Sequence, residues 1–266
     1  MTTQTVTQAV EKRDTSAINL AWARKRQFEA ILPDHIDVRS FIGTAAAALY
    51  ADGKLMAAAE ANPDSLIVAL MECATLGHRP GSEEYYLIWR NIKGKPTVQG
   101  LEGYRGIIER MYRSGAIASV VVREVCERDE FEYVEGVHDR PQHSVAWFGG
   151  KRGQMIGVYA YAVLTTGAVS RVVILSRDDV MAARDASDSK DSSFSPWNRL
   201  DGGKDHPEFT GRAMWWKTAA RRLEPWVPTS AEYRREQLRA AAAAHDAAQG
   251  AVRPHEDVVD AEVIDG

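Results

Sequence analysis

The stretch QGLEGYRGIIERMYRSG, residues 99–115, contains a helix with a glycine at each end. Gly103 precedes the helix and Gly115 follows it, and a glycine just past the last turn is a common helix stop. The spacing predicts a helix over 104–114. Three apolar residues at helical spacing predict its buried face: Ile107, Ile108 and Met111.

The charged side of this predicted helix carries Arg105, Glu109 and Arg113, four residues apart and therefore on one face. One interpretation is an ion-pair ladder on an ordinary amphipathic helix. The other is a phosphate site, since the first N–H groups of a helix lack partners and favour anions.

The regions on both sides of this helix predict an α+β fold. Residues 84–91 and 96–98 flank Gly94-Lys95 and predict a hairpin. Further helices are expected over 41–50, 55–60, 63–76, 177–185 and 206–223. Further strands are expected over 117–126, 130–133, 155–164 and 168–175. Because the strands need not alternate with helices, we expect a small mixed or antiparallel sheet with helices packed around it.

Three regions divide the chain of 266 residues. Residues 1–33 are expected to form a frayed arm that contacts other copies. Residues 34–230 have the pattern of a folded core, with a long polar loop at 186–205. Residues 231–266 hold four basic and eight acidic side chains, which account for the net charge of −4. We expect a helix at 231–244 and an acidic, disordered end beyond residue 250.

Several classes of protein are excluded by simple features. The net charge of −4 excludes a generally basic, nucleic-acid-coating protein. The sequence GxxxxGK[ST] is absent, which argues against an ATP-driven motor. The two cysteines, Cys73 and Cys126, are interpreted as buried thiols of a reducing compartment. No apolar run is long enough to cross a membrane.

Positive charge is nevertheless concentrated locally. Residues 90–113 hold six basic and two acidic side chains, and residues 212–222 hold four basic and no acidic ones. Residues 149–153, GGKRG, form a third basic segment. Such windows are often solvated helix faces. Tryptophans beside the second window could instead stack on nucleobases, although Trp215 is expected in the core.

The sequence leaves two alternatives open: a structural or interaction protein whose basic stretches are plain surface, and a metal-dependent nuclease. His138 and His143 lie five residues apart, and five aspartates lie between 178 and 191. Asp178 and Asp179 also suit the start of a helix. A two-metal site would use the carboxylates to bind the ions.

The order of several motifs resembles the RecT family of phage single-strand DNA annealing proteins. The motifs are the segment 76–81 (LGHRPG), the strand YYLIW, residues 99–115, Asp129-x-Phe131, His143, the segment 157–162 (GVYAYA), Ser195-Pro196-Trp197, Met214-x-x-Lys217-Thr218 and Pro228-x-Ser230. The resemblance covers residues 36–230. It departs at His78-Arg79, where such proteins often carry Leu-Glu.

The resemblance implies a protein without catalytic residues that binds single-stranded DNA and anneals complementary strands without ATP in phage recombination. Members assemble into rings or helical filaments on DNA. The implied partners are single-stranded DNA, the annealed duplex intermediate, further copies of the chain, a phage 5′→3′ exonuclease and the host single-strand-binding protein. No cofactor is required, Mg²⁺ at most modulates DNA binding, and the location is the bacterial cytoplasm at the nucleoid.

The candidate DNA contacts combine this resemblance with charge. The phosphate path is expected to use Arg105, Arg110, Arg113, Lys217, Arg221 and Arg222, and charge alone adds Lys151 and Arg152. The candidate base or sugar contacts are Tyr104, Trp197 and Trp216. Lys217 is the preferred single residue, because it lies inside a matching motif and has no acidic neighbour in the sequence.

Overall fold

The computed structural model describes residues 16–187, 190–193 and 195–230. Its helices are α1 (Ser16–Ala23), α2 (Lys25–Ile31), α3 (Val38–Ala51), α4 (Gly53–Ala61), α5 (Pro63–Leu76), α6 (Tyr104–Arg113), α7 (Arg177–Asp185) and α8 (Arg212–Leu223). Its strands are β1 (Tyr85–Ile92), β2 (Lys95–Glu102), β3 (Ile117–Cys126), β4 (Glu130–Glu132), β5 (Gln142–Ser144), β6 (Met155–Leu164) and β7 (Val173–Ser176). The expected α+β class with small antiparallel sheets is confirmed.

The first lobe packs helices α1 to α5 against the β1–β2 hairpin around one apolar core. Local sequence defines its helix ends. The Asp37 carboxylate accepts a hydrogen bond from the Ser40 N–H at 2.8 Å and caps α3. Pro63 begins α5, and Gly77 ends it with φ of 68°.

The amino-terminal prediction is wrong where the structure describes it. Helices α1 and α2 are not a frayed arm, because Ala17, Ala21 and Phe28 are fully or almost fully buried in the first lobe. Phe28 packs against Phe41 with ring centroids 5.5 Å apart. The arm as bounded at 1–33 therefore includes core residues. Residues 1–15 lie outside the described part, and an oligomer contact stays a prediction.

The second lobe is a three-stranded antiparallel sheet in the order β3–β6–β7. Helices α6, α7 and α8 cover one face, and the hairpin of β4 and β5 lies beside the other. Strand β5 was not expected from the sequence; it pairs residue by residue with β4. Ser176 and Asp179 form a capping box that begins α7 where the sequence places it.

Helix α8 starts later than predicted. The sequence indicates a helix from residue 206, but Pro207–Phe209 is a short 3₁₀ turn and α8 begins only at Arg212. Gly211 adopts φ of 69°, a left-handed conformation that interrupts the helix. Strand β7 is likewise shorter than predicted, beginning at Val173.

Both cysteines are free and buried, as the sequence predicts. In the described part of the chain, every helix is too short or too polar to cross a membrane. The predicted helix at 231–244 and the acidic end lie outside the described residues.

Candidate nucleic-acid interface

A groove of about 680 Å³ lies between β3, the loop 147–152 and the start of α8. Its basic side chains are Arg123, Lys151, Arg152 and Arg212, against the acids Glu124 and Glu208. Trp147, Phe209 and Trp216 complete the lining. The surface thus combines a net positive charge with three aromatic rings.

Cations and rings alternate along the groove. Arg123 and Arg152 lie over Trp147, with guanidinium carbons 5.7 and 5.9 Å from the ring centroid. Arg152 also lies 5.8 Å from the Phe209 ring. Arg212 continues the series, 4.9 Å from Phe209 and 4.8 Å from Trp216. This arrangement presents charges for phosphates beside faces on which bases can stack.

Glu124 holds two members of this series in place. Its carboxylate is buried and accepts a hydrogen bond from Arg152 Nη1 at 2.9 Å and one from Trp216 Nε1 at 2.9 Å. Tyr104 contacts the edge of Trp216, with centroids 6.4 Å apart. Glu124 is therefore a positioning residue for the groove, and its partners have little freedom to rotate.

Asp129 is the second anchor of Arg152. It accepts hydrogen bonds from Arg152 Nε at 3.0 Å and Nη2 at 2.6 Å, and His143 Nε2 lies 3.1 Å away. Burial alone would raise the pKa of Asp129, but hydrogen bonds from Arg152, the Cys126 N–H and His143 lower it. The same contacts with Asp129 raise the pKa of Arg152. Arg152 therefore donates four of its five N–H groups to Glu124 and Asp129 inside the protein, and its position is fixed.

A second cleft, of about 350 Å³, lies between the end of α7 and α8. Three cations line it, namely Lys217, Arg221 and Arg222, and the lining that the structure describes contains no carboxylate. Burial lowers the pKa of Lys217, and the neighbouring Arg221 lowers it further. An anion entering this cleft would relieve that repulsion.

Trp197 borders the same cleft but is buried, with 6% of its surface exposed. It packs in the second lobe with Trp215, whose predicted core position is confirmed. The Trp197 Nε1 group is buried and has no hydrogen-bond partner. The side chain has no exposed ring face for stacking, so its predicted base contact does not fit this geometry.

The three arginines of α6 are paired with acids inside the chain. Arg110 is bound by Glu102, with Nε–Oε1 of 2.7 Å, and by Glu224. Burial alone would lower the pKa of Arg110, but these two carboxylates raise it. Arg113 pairs with Glu109 and donates to the Leu76 carbonyl at 2.9 Å. Of the predicted ion-pair ladder, the pair between Glu109 and Arg113 is therefore present, whereas Arg105 pairs elsewhere.

Arg105 is the exposed member of this set and pairs with Glu83 on the neighbouring loop. The glycines at the helix start serve close packing. A Cβ at Gly103 would meet the Glu83 carbonyl at 2.2 Å, and one at Gly106 would meet the Glu84 carbonyl at 2.5 Å. The start of α6 thus faces backbone carbonyls of this chain, and its phosphate contact stays a prediction.

The predicted contacts therefore separate into three places. Lys151, Arg152 and Trp216 line the groove, with Tyr104 against Trp216. Lys217, Arg221 and Arg222 line the cleft on another side of α8. The α6 arginines lie outside both. Four groove residues are not among the predicted contacts, namely Arg123, Trp147, Phe209 and Arg212, although Arg212 begins the basic window 212–222. The aromatic pair Trp147-Phe148 directly before GGKRG could have indicated this groove from the sequence. Arg123 could not, because nothing in the sequence distinguishes it from the other residues of its strand.

The nuclease alternative gains no support from the described residues. His143 is engaged with Asp129 and Tyr159, and His138 accepts the Val134 N–H at 3.2 Å. Asp179 caps α7. Within the described ranges, no three His, Cys, Asp or Glu side chains are grouped so that they could hold a metal ion.

Comparison with known proteins adds two findings. The model of the RecT family matches residues 40–259. The curated Protein RecT of Escherichia coli (strain K12) is 31% identical over 233 residues, which covers 85% of this chain and 80% of that protein.

Proposed function

The chain belongs to the RecT family, and from that premise we propose that it binds single-stranded DNA in the groove and anneals complementary strands without ATP. Membership itself supports a role in DNA recombination by single-strand annealing. The finer statement concerns which surface holds the strand and what drives pairing.

The alternation of guanidinium groups and rings from Arg123 to Trp216 is the observation that carries the proposal. Guanidinium groups bind phosphates and release counterions, which offsets repulsion between two strands. Rings bind bases without selecting a sequence, because every base has a π face. Once two strands are held in register, base stacking of about 1.4 kcal/mol per step makes annealing favourable without a nucleotide cofactor.

Within this proposal the two basic surfaces have different tasks. The groove holds bases through Trp147 and Trp216 and phosphates through Arg123, with Lys151 at its rim. Arg152 is bound by two carboxylates of this chain, so it can add one N–H group to this surface and mainly positions the rings beside it. Among the described residues, the charged lining of the cleft is Lys217, Arg221 and Arg222, which suits backbone phosphate. Helix α8 connects them, since Arg212 and Trp216 face the groove and Lys217 and Arg221 face the cleft. Arg105 would extend the path, whereas Arg110 and Arg113 support α6.

Annealing also requires several copies, since one groove contacts few phosphates. We propose a homo-oligomer, ring or helical filament, in which the grooves of neighbouring copies join. Exposed apolar residues on the first lobe offer contact surface, namely Trp22, Ile31 and Tyr50.

The remaining partners follow from the same proposal. A 5′→3′ exonuclease would supply single strands, and the host single-strand-binding protein would deliver them. The protein would act in the bacterial cytoplasm at the nucleoid. No cofactor takes part, and Mg²⁺ would modulate binding by screening phosphates.

The decisive experiment follows the pairing of two complementary oligonucleotides with fluorescent donor and acceptor, without ATP or metal. We expect the full chain to accelerate pairing and Arg123→Ala to reduce the rate. Arg140→Ala, which removes the same charge from the exposed loop between β4 and β5, is the matched control and should leave the rate unchanged. A requirement for ATP, shortened oligonucleotides, or equal rates for Arg123→Ala and the full chain would contradict the proposal.

A further inference from the structure

The groove beside β3 follows the outer edge of this strand. Among the strands that the structure describes, β3 is at one side of its sheet and pairs only with β6. All six residues from 119 to 124 line the groove. Successive side chains of a strand point to opposite faces, so six consecutive lining residues indicate that the groove follows the edge and not one face. This edge is about 20 Å long, the length of an average strand.

The peptide groups of Val122 point into the groove. The N–H of Val120 donates to Tyr112 Oη at 3.0 Å, and the carbonyl of Glu124 accepts from Arg152 Nη2 at 3.4 Å. Neither partner belongs to β6, and every second residue of a strand directs its N–H and C=O to the same side. Val122 lies midway between these two residues, so its N–H and C=O also point away from β6. Within the described residues, neither group has a hydrogen-bond partner.

This unpaired donor and acceptor restrict the chemistry of an occupant. A phosphate group offers acceptors only and would leave the Val122 carbonyl unpaired. The edge of a nucleobase offers both, but annealing requires those edges for the complementary strand. The main chain of an extended peptide also offers both, and it can add to a sheet edge as a further strand. The edge of β3 therefore suits a peptide.

The charges beside the edge favour an acidic peptide. The cations of the lining include Arg123, Lys151 and Arg212, and the Arg212 Nε group is buried without a hydrogen-bond partner in the part of the chain that the structure describes. The two acids of the lining, Glu124 and Glu208, are already engaged by partners within the chain. Carboxylates of an incoming peptide would therefore find cations to bind. Pairing of two copies through β3 would instead bring like charges together, which disfavours a second copy as the occupant.

We propose that the edge of β3 binds an extended acidic peptide of a partner protein as an added strand. The peptide main chain pairs with Val122. Arg123 shares the face of Val121, which packs on the side of the β4–β5 hairpin, whereas Arg212 begins α8 on the other face. Carboxylates on either face of the added strand therefore meet a cation.

The proposed site has a consequence for DNA binding. The peptide would lie in the same groove as single-stranded DNA, so the two ligands exclude each other. A partner that carries such a segment would control access of DNA to the groove. This consequence rests on the proposed function, whereas the peptide site itself does not.

Binding of a synthetic peptide to the full chain tests the site. The probe is a fluorescent, end-capped hexapeptide of three Glu-Val repeats, and its anisotropy is measured without DNA. The matched control is the same peptide with every backbone amide N-methylated, which keeps its charges and side chains but cannot donate to β3. We expect the unmethylated peptide to bind about 10-fold more tightly, because each hydrogen bond to the edge adds a modest net contribution. Absence of saturable binding, or equal affinity of the two peptides, would overturn the proposal.

Two substitutions at Val122 test the same contact from the protein side. Val122→Pro removes the N–H that points into the groove, and proline is tolerated at an edge position whose N–H faces outwards. Val122→Thr keeps both the N–H and the β-branched shape. We expect Val122→Pro to weaken peptide binding about 10-fold and Val122→Thr to change it less than about 2-fold. Equal affinity of the two variants would contradict the contact. If a thermal melt shows that Val122→Pro does not fold, the two peptides on the unaltered chain decide.

An oligonucleotide separates this proposal from the proposed function. Val122→Pro should bind labelled single-stranded DNA within about 2-fold of the unaltered chain, since the cations and rings of the groove are retained. Loss of DNA binding by Val122→Pro, with peptide binding unchanged, would assign the edge to nucleobases and overturn the peptide site. Absence of DNA binding by the unaltered chain would contradict the proposed function and leave the peptide result intact.

Discussion

Replacing Lys217 by alanine separates a phosphate contact from a structural role. The ammonium group lies in the cationic cleft, where burial and Arg221 lower its pKa. Each phosphate contact adds about 0.7 to the salt slope of single-strand binding. Losing one contact should therefore reduce the salt slope of Lys217→Ala by about 0.7 to 1. The affinity lost relative to the unaltered chain should then be about 5-fold greater at 0.1 M salt than at 1 M salt.

Stability should respond differently. Because the folded-state pKa of Lys217 is depressed, its protonated form slightly disfavours the folded state at every pH below that pKa, neutral pH included. Lys217→Ala removes this penalty, so we expect Tm to stay within about 2 °C of the unaltered chain.

The assay is fluorescence anisotropy of a labelled oligonucleotide at five salt concentrations, with a thermal melt of each variant. Lys95→Ala is the control, because it removes the same charge from an exposed position on β2 in the first lobe, whereas the cleft lies in the second lobe. An unchanged slope for a folded Lys217→Ala chain would refute the phosphate contact. A fall in Tm of many degrees would instead indicate a structural role.

Three further predictions test other parts of the molecule. Glu124→Leu should lower the stability by about 3 kcal/mol or more, since it leaves the Trp216 Nε1 group without an acceptor and removes a buried partner of Arg152; a urea titration that gives an unchanged stability would contradict the positioning role. Trp147→Ala should weaken single-strand binding by about 1–3 kcal/mol with no change in Tm, because this ring is 64% exposed; anisotropy showing equal affinity would exclude it from the contact. Burial alone would raise the pKa of Glu102, but hydrogen bonds from His78 and Arg110 lower it to about 2, so its contribution of about 3 kcal/mol is present above pH 4.5 and lost as pH falls towards 2; Glu102→Gln should flatten the decline of stability over that window, and an identical acid profile would disprove the assignment.

Local signals in the sequence predict much of the fold. Capping side chains and glycines act within a few residues of one another, so the ends of α5 and α7 follow from Pro63, Gly77 and Ser176. The predicted start of α8 at residue 206 is wrong, because the sequence does not reveal whether the φ of a glycine is negative or positive. Gly211 happens to be left-handed and ends the turn before the helix.

The candidate site was predicted only in part, because its charges are paired over long distances in the sequence. Arg110 binds Glu224, which is 114 residues away, and Arg152 binds Glu124, which is 28 residues away. Spacing rules cover three or four residues and cannot detect such pairs. The basic residues of the sequence therefore indicate where positive charge is concentrated, but not which of these side chains are bound by carboxylates of the same chain.

The buried contacts of His78 and Arg110 with Glu102, and of Arg110 with Glu224, join the ends of both lobes. Turning one lobe against the other would separate Arg110 from Glu102 or Glu224, and breaking a largely buried ion pair costs several kcal/mol. We therefore expect the two lobes of one copy to move as a rigid unit. In the oligomer proposed above, pitch and curvature would then be set by the contacts between neighbouring copies, and mutations that alter its shape should map to those contacts.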